Sequence, residues 1–340
     1  MTASAPVAAP LAIALGDPAG IGPELIAEAW LRRQESALPP FFVVGGAAVL
    51  AAAAASRGTA LAVQPITDAT QAAAVFVGAL PVLGTADGVY RPGAPDDEGA
   101  ALALQSLAEA TRCALLGQAA GVVTAPVAKA QLARVGFEFP GQTEFLAAAC
   151  GLAADDAVMM LAGPSLRTVP LTVHCALADV PGLIDADLIV HKGRIVARSL
   201  QQDFGIAQPR LAIAALNPHA GEDGKFGLED RDIIAPAIET LRAEGIAATG
   251  PHPGDALFTP RARASYDAAL CMYHDQALIP LKALEFDHGV NVTLGLPIIR
   301  TSPDHGTAFD IAGKGVADPG AMIAAIRLAG ELAARRASHG

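Results

Sequence analysis

Three widely separated histidines each stand at or near the end of an apolar run. His174 lies in PLTVHCAL, His219 in LNPHAG and His274 in MYHDQ. Three imidazoles with an open coordination position suit a catalytic divalent ion, which polarises a hydroxyl or carbonyl oxygen. No short ligand motif links them, so three separate histidines bonded to backbone groups remain the alternative. Asp275, directly after His274, is a candidate to orient that imidazole through its carboxylate.

A second set of polar side chains predicts an anion site. Lys282 follows LIPL, Asn291 precedes VTLGLP, and Arg300 ends PII. Arg offers a two-pronged donor to phosphate or carboxylate, Lys a point charge, and Asn both a donor and an acceptor. Because such groups are costly beside apolar runs unless they have partners, the pattern favours a bound anion over ordinary surface charge.

Three loops add further candidates. GQTEFLAAA predicts a loop and then a helix, where Thr143 and the free N–H groups of the first turn bind a phosphate; a Thr helix cap is the alternative. Asp255 lies in the Gly/Pro loop GPHPGDALF, where a carboxylate near a metal and a plain turn-forming Asp are equally consistent. In GDPAGIGPE, we expect Asp17 and Glu24 to cap the following helix and bond the loop backbone.

Short apolar runs alternate with longer helical patterns, which predicts an α/β fold. Strands or strand ends are predicted at 11–15, 41–46, 121–127, 211–218, 267–274 and 290–297, and helices at 23–33, 101–117, 233–245 and 319–336. Such alternation predicts right-handed crossovers and mostly parallel strands. Ligands of these sheets bind beyond the carboxyl ends of the strands, which is where APVAK, LNPHAG and MYHDQ are expected to lie.

Size, charge and cysteine usage exclude several classes of protein. The 340 residues exceed the usual size of one hydrophobic core, so we expect two domains. The net charge of -11 argues against a nucleic-acid partner, and no basic amphipathic segment predicts membrane binding. The four cysteines, Cys113, Cys150, Cys175 and Cys271, form no CxxC pair. They are therefore predicted to be buried, reduced thiols of a cytoplasmic protein.

Together these segments resemble the PdxA family of 4-hydroxythreonine-4-phosphate dehydrogenases. The resemblance covers nearly the whole chain and is carried by LAIALGDPAGIGPE, TAPVAK, GQTEFLA, VPLTVH, LNPHAGEDGKFGLED, GPHPGDALF and the segment from His274 to Gly315. It implies two α/β/α domains similar to those of isocitrate and isopropylmalate dehydrogenases. We expect the first at 1–127 plus 298–340 and the second at 128–297. It also implies a homodimer with a shared active site, and NAD bound without a Rossmann fingerprint, which agrees with the absence of GxGxxG here.

The resemblance also assigns residues. The family's metal-binding histidines fall on His174, His219 and His274, its substrate contacts on Thr143, Lys282, Asn291 and Arg300, and its loop carboxylate on Asp255. The family often has GHTEF where this chain has Gln142 in GQTEF. Gln142 is expected to bind substrate, but an amide cannot carry charge or shuttle a proton as imidazole does. We expect Arg300 and Asn291 at the charged end of the substrate, with Thr143 and Gln142 near the other.

The implied reaction is the oxidation and decarboxylation of 4-phosphooxy-L-threonine to 3-amino-2-oxopropyl phosphate in pyridoxal 5'-phosphate biosynthesis. NAD or NADP is the expected hydride acceptor, and Zn, Mg, Co or Mn the expected metal. Lys282 is the first proton-transfer candidate and Asp255 the second. Three alternatives remain: a dehydrogenase of 4-phospho-D-erythronate or threonate, a three-histidine metal-dependent hydrolase, and a ligand-binding protein without catalysis.

Overall fold

The computed structural model describes residues 9–339, and the chain divides into two compact units. The first contains the residues up to Leu152 together with Leu296–Ala337, and the second is built on Ala153–Gly295. These compact units divide after Leu152 and after Gly295. The domain boundaries expected after residues 127 and 297 remain a prediction. Each unit is described by itself below.

Within residues 9–339 the chain forms twelve β-strands and thirteen α-helices. The strands are β1 Leu11–Ala14, β2 Phe41–Val44, β3 Val63–Ile66, β4 Leu80–Leu83, β5 Val122–Thr124, β6 Val158–Ala162, β7 Arg167–Pro170, β8 Arg210–Ala214, β9 Ala247–His252, β10 Ala268–Cys271, β11 Val290–Leu294 and β12 Arg300–Pro303. The helices are α1 Gly22–Leu31, α2 Ala47–Ser56, α3 Ala72–Phe76, α4 Asp97–Leu115, α5 Lys129–Arg134, α6 Gln142–Ala149, α7 Val180–Leu183, α8 Ala186–Gln202, α9 Ala235–Ala243, α10 Gly254–Leu257, α11 Pro260–Arg263, α12 His274–Glu285 and α13 Gly320–His339. The predicted α/β class is confirmed.

The first unit is organised around parallel strands in the order β3-β4-β2-β1-β5-β12. All four residues of β1 (LAIA) and all four of β2 (FFVV) are buried. A parallel strand that is covered on both faces needs apolar side chains at every position, so its sequence is a continuous apolar run rather than an alternating one. This is why the runs at 11–15 and 41–46 were recognisable as strands.

The second unit has the strand order β11-β6-β7-β10-β8-β9. Strands β7, β10, β8 and β9 run parallel, while β6 is antiparallel to both β7 and β11. The register pairs Cys271 with Pro170 and Leu270 with Ile213. The carboxyl ends of β7, β10 and β8 therefore meet at one edge of the sheet, where we expected ligand-binding loops.

The segment around His274 differs from the prediction. We expected a strand through 267–274, but β10 ends at Cys271 and His274 is the first residue of helix α12. The acidic Asp275 favours a helix start here because its charge complements the positive end of the helix dipole. The apolar run LIPL continues as part of this helix, so Lys282 lies in the last turn of α12 rather than between two separate apolar elements.

The expected capping of helix α1 is wrong. The N-cap residue is Ile21, and no side chain caps the helix. Asp17 does bond the loop backbone, because its Oδ1 accepts from the Ala19 N–H at 3.0 Å. Glu24 is fully buried and accepts from the Tyr90 hydroxyl at 3.0 Å, so its role is a tertiary hydrogen bond.

The structure also bears on membrane-spanning helices and on the state of the four cysteines. None of the helices in residues 9–339 has the length and apolar character needed to cross a membrane. All four cysteines are free thiols, as expected. Cys113 and Cys271 are buried, Cys150 is half-buried, and Cys175 is exposed, so the predicted burial is wrong for Cys175.

Candidate metal and anion sites

The three candidate metal ligands follow three neighbouring parallel strands. His174 comes after β7, His274 after β10 and His219 after β8, and these strands are adjacent in the order β7-β10-β8. Since parallel strands end at the same edge, all three histidines belong to loops or a helix start at that edge of the second unit. The strands are not consecutive in sequence, so only the folded sheet brings their ends side by side.

His174 and His274 lie close together. Their ring centroids are 5.9 Å apart and the ring planes are inclined at 42°. His274 Nδ1 lies 2.7 Å from Asp275 Oδ1, so the carboxylate holds the ring and directs Nε2 away from itself. A cavity of about 300 Å³ opens beside the two rings, with Leu177 and Tyr273 among its lining residues.

His219 lies in an unusual turn after β8. It is exposed, and its backbone has a φ of 53°. The next residues also have left-handed backbone, with φ of 53° at Ala220, 44° at Glu222 and 56° at Asp223. Each non-glycine residue in this conformation costs about 1–2 kcal/mol. Such strain persists only where the surrounding structure holds it, and it is frequent at functional sites.

A buried carboxylate holds the segment that leads into this turn. Asp230 is 1% exposed, and its oxygens accept from the Leu216 N–H at 2.8 Å and the Asn217 N–H at 3.1 Å. It also accepts from the Asn217 side-chain amide at 3.0 Å. These bonds satisfy the carboxylate and fix the backbone immediately before Pro218 and His219.

These residues fit a divalent ion only in part. Across residues 9–339, no group of three or more His, Cys, Asp or Glu side chains is placed to hold a metal. The pair His174 and His274 does have the right chemistry, since imidazoles suit zinc and related ions and a carboxylate on Nδ1 is the usual support. That His219 joins this pair remains a prediction.

The two proton-transfer candidates also belong to the second unit. Asp255 is exposed in the short helix α10, which follows β9, the strand that pairs with β8. Lys282 is half-buried in the last turn of α12, the helix that His274 begins. Asp255 thus lies at the same sheet edge as the histidines, and Lys282 lies two turns along the helix from His274.

Asn291 has an unused acceptor inside the second unit. It pairs with Leu161, which in turn pairs with Thr168, so all three residues stand level across β11, β6 and β7. This level precedes Pro170, the end of β7, and so Asn291 is set back from the sheet edge where the histidines lie. Its Oδ1 is buried and accepts no hydrogen bond from the described residues. A ligand donor would satisfy it.

Arg300 forms the centre of a separate polar cluster in the first unit. It is 4% exposed at the start of β12. Its Nη2 donates to Thr124 Oγ1 at 2.7 Å and to Gln142 Oε1 at 2.9 Å. Burial lowers the pKa of Arg300 to about 10, because desolvation disfavours the charged form. The guanidinium nevertheless remains a cation at neutral pH.

Gln142 and Thr143 open helix α6. The N-cap residue is Gly141, and no side chain caps the helix, so the alternative that Thr143 is the cap is wrong. The backbone N–H groups of this first turn are donors of the kind that bind an anion at a helix N-terminus. Gln142 Oε1 accepts from Arg300, although we expected the two residues at opposite ends of the substrate. The substrate group that each residue binds stays a prediction.

The sequence analysis missed Thr124 as a member of this cluster. Thr124 ends β5 in the motif TAPVAK and is 1% exposed. We had noted the motif as a strand end, and a buried hydroxyl at that place was the available signal. Its partner Arg300 is far away in sequence, so the contact itself was not predictable from local pattern.

Comparisons with known proteins show the family of the chain. The family model described as pyridoxal phosphate biosynthetic protein PdxA matches residues 37–329. A protein of Erythrobacter litoralis named 4-hydroxythreonine-4-phosphate dehydrogenase is 67% identical over 328 residues, which cover 96% of this chain and 98% of that protein. The protein of the same name from Zymomonas mobilis subsp. mobilis is 53% identical, and the match covers 97% of each chain.

A solved structure gives the same result. The crystal structure of 4-hydroxythreonine-4-phosphate dehydrogenase from Klebsiella pneumoniae superposes with a TM-score of 0.86 at 37% identity, covering 97% of this chain and 99% of that one. Both the match in sequence and the match in fold extend over nearly the whole chain. The resemblance inferred from the motifs is thereby confirmed, and the chain belongs to the PdxA family.

Proposed function

We propose that the chain is a metal-dependent dehydrogenase that uses NAD or NADP to oxidise and decarboxylate 4-phosphooxy-L-threonine, forming 3-amino-2-oxopropyl phosphate for pyridoxal 5'-phosphate biosynthesis. The names of relatives at 67% and 53% identity support this proposal. The structural observation that carries it is the shared sheet edge of β7, β10 and β8, from which His174, His274 and His219 follow.

These three histidines are the proposed metal ligands, with Asp275 fixing the ring of His274 through Nδ1. A bound divalent ion would supply Lewis acidity at the substrate hydroxyl, and a bound nicotinamide would supply the hydride acceptor. For the ligands to bind, the imidazoles must be neutral.

Arg300 is the proposed anchor for a charged group of the substrate. Thr124 and Gln142 fix one guanidinium nitrogen, which restricts the plane in which the other donors lie. Because desolvation weakens competition from water, a buried guanidinium binds phosphate or carboxylate more strongly than a surface one. Thr143 and Asn291 are further proposed substrate contacts, the latter through its unused amide oxygen.

Lys282 is the proposed proton-transfer group, which accepts the proton of the substrate hydroxyl, and Asp255 is the second candidate. A proton-transfer group must lie within hydrogen-bond reach of the proton that it takes up. The half-buried position of Lys282 supports its choice over the exposed Asp255. Replacing Lys282 with Met should abolish turnover while the binding of substrate weakens less.

The direct test is NADH or NADPH formation from 4-phosphooxy-L-threonine, measured with and without a chelator. The proposal expects turnover that the chelator stops and that Zn, Co, Mn or Mg restores to different extents. Absence of nicotinamide reduction in the metal-loaded protein would overturn it. Comparing the four ions identifies the working metal, and comparing the two nucleotides identifies the preferred acceptor.

The alternatives give different results in the same assay. Faster reduction with 4-phospho-D-erythronate or threonate would favour a dehydrogenase of those acids. Product without reduced nucleotide would favour a hydrolase, and ligand binding that survives chelation without turnover would favour a non-catalytic binder. We further propose a homodimer with a shared active site, to be measured by light scattering, and a cytoplasmic location, which the four free cysteines support.

A further inference from the structure

One side chain links the chain segments that lead to two of the histidines. Gln276 lies in the first turns of α12, where its Oε1 accepts from the Met272 N–H at 2.7 Å. Its Nε2 donates to the Ala215 carbonyl at 2.7 Å. Met272 shortly precedes His274, and Ala215 shortly precedes His219. The two ends of one amide therefore join the carboxyl ends of β10 and β8.

A second side chain links the third segment. Thr172 is 6% exposed and shortly precedes His174. Its hydroxyl donates to the Met272 carbonyl at 2.8 Å. Met272 thus contributes its N–H to Gln276 and its carbonyl to Thr172. One residue just after the middle strand, Met272, is therefore the common point of all three segments.

These side-chain bonds lie just beyond the last paired residues of the strands. The ladder between β10 and β7 ends with Cys271 opposite Pro170, and the ladder between β10 and β8 ends with Leu270 opposite Ile213. Between the β7 and β10 segments, backbone bonds continue past these pairs, because the Leu171 N–H donates to the Cys271 carbonyl at 2.7 Å and the Thr172 N–H to the Met272 carbonyl at 3.3 Å. The Thr172 hydroxyl adds a second, shorter bond to the Met272 carbonyl. The Gln276 amide supplies the side-chain connection between the segments that follow β10 and β8.

We propose that Gln276 and Thr172 are positioning residues that set the spacing of His174, His219 and His274 and so the affinity and geometry of the divalent-ion site. This inference rests on the proposed function, because it assigns a purpose to the spacing of those rings. A ligand set must be held to within about 0.5 Å of its working geometry, and supporting hydrogen bonds supply that precision.

The test uses Co²⁺ alone as the probe, with affinity measured by calorimetry and geometry by the visible absorption of the bound ion. Gln276→Met keeps the length of the side chain but removes both of its bonds. Thr172→Val keeps the shape but removes the hydroxyl donor, while the backbone N–H bond of residue 172 remains. Loss of an outer support of a metal site lowers affinity by about 10- to 100-fold. We expect that fall, with a changed absorption spectrum, in both variants.

Conservative and distant variants separate positioning from simple stability. Thr172→Ser retains the hydroxyl and should restore affinity. Gln201 is a matched control, because its Nε2 also donates to a backbone carbonyl, that of Ala207 at 3.3 Å, but from the far end of α8. Gln201→Met should leave Co²⁺ affinity unchanged. Co²⁺ affinity that stays within twofold of wild type in Gln276→Met and Thr172→Val, whatever their melting temperature, would overturn the proposal.

A metal-free measurement distinguishes failure of this proposal from failure of the proposed function. Imidazole NMR signals of the apo protein report ring surroundings directly. Gln276→Met should shift the signals of His219 and His274, and Thr172→Val those of His174 and His274. If wild-type protein binds no Co²⁺, the proposed metal site fails, and unchanged imidazole signals in both variants would by themselves reject the positioning role.

Discussion

The guanidinium of the first unit and the imidazoles of the second are prepared for their ligands in different ways. Arg300 is 4% exposed and bonded directly to Thr124 and Gln142. His174 and His219 are exposed, and hydrogen bonds fix the backbone that precedes each ring. Arg300 is held by neighbouring side chains. At the histidines the chain before the ring is held, and His274 has in addition the Asp275 carboxylate at Nδ1.

The difference follows from the charge each group carries before its ligand binds. A buried cation loses its hydration, so it must be held by oxygen atoms even when no anion is bound. The oxygens of Thr124 and Gln142 are neutral, so these two contacts orient the guanidinium without cancelling its charge. A metal ligand must be a neutral imidazole, which costs little to expose to water. Its position is then set by the backbone that carries it and, at His274, also by the Asp275 carboxylate.

Removal of Arg300 should give the largest effect and is the strongest test of this comparison. Arg300→Ala removes a charged donor set from the substrate, and hydrogen bonds to a charged group contribute about 1.5–3 kcal/mol each. We expect kcat/KM for the phosphorylated substrate to fall by about 100- to 1000-fold, measured from NADH formation.

Arg300→Lys keeps the charge but loses the planar fork, so it should recover only a minor part of that fall. Thermal melting of both variants checks that the fold persists. A kcat/KM within threefold of wild type in the folded Arg300→Ala protein would show that the buried guanidinium serves structure alone.

The second prediction concerns Asp275, whose carboxylate lies 2.7 Å from His274 Nδ1. Asp275→Asn weakens the support of the ring, and we expect Co²⁺ or Zn²⁺ affinity to fall by about tenfold. The chain contains a matched control pair, since His191 Nε2 lies 3.1 Å from Asp156 Oδ1. Asp156→Asn should leave metal affinity as in wild type, and an equal loss in both variants would argue for a general charge effect.

The third prediction concerns Gln142, and its effect is measured on stability. Gln142→Leu takes away one acceptor of the Arg300 guanidinium, and an unsatisfied buried donor costs about 1–3 kcal/mol in the free energy of unfolding. Thr124→Val should cost a similar amount, because it takes away another acceptor of the guanidinium. Urea titration measures both. A stability unchanged in both variants would mean that Arg300 is held by other contacts.

Gln142→His tests the contact with Arg300 through the pH dependence of stability. A neutral imidazole can accept from Arg300, but an imidazolium beside a cation is disfavoured, so the folded pKa of the new ring is lowered. The unfolded chain then binds more protons than the folded one, and stability relative to wild type should fall as the pH falls through about 6.5. A difference that does not change with pH would contradict this account.

The sheet edge that carries the three histidines shows which parts of a site can be predicted from the sequence. Each of His174, His219 and His274 was recognisable because an apolar run precedes it, and parallel strands of an α/β fold carry their ligands there. That β7, β10 and β8 are adjacent in the sheet could not be predicted, because the order of strands depends on crossovers that no local pattern encodes. The helix that begins at His274 was also missed, because the run DAALCMYH fits a longer strand equally well.

Contacts between segments that are distant in sequence were also not predicted. The bonds of Arg300 to Thr124 and Gln142 join three elements that are separate in sequence. Glu24 looked like a helix cap because an acid in a first turn usually complements the helix dipole, yet it is buried against Tyr90. In both places the deciding energy is tertiary burial of a charged group, which overrides the local preference that a sequence displays.

The left-handed turn that carries His219 has a consequence for laboratory evolution of this protein. Positions 220, 222 and 223 are occupied by Ala, Glu and Asp although their φ angles favour Gly or Asn. A saturation library there should be depleted of Val, Ile and Thr among functional clones, because branching at Cβ raises the energy of this conformation further. Gly or Asn at the same positions would relieve the backbone strain. Clones that carry them are therefore starting points for a more heat-resistant protein.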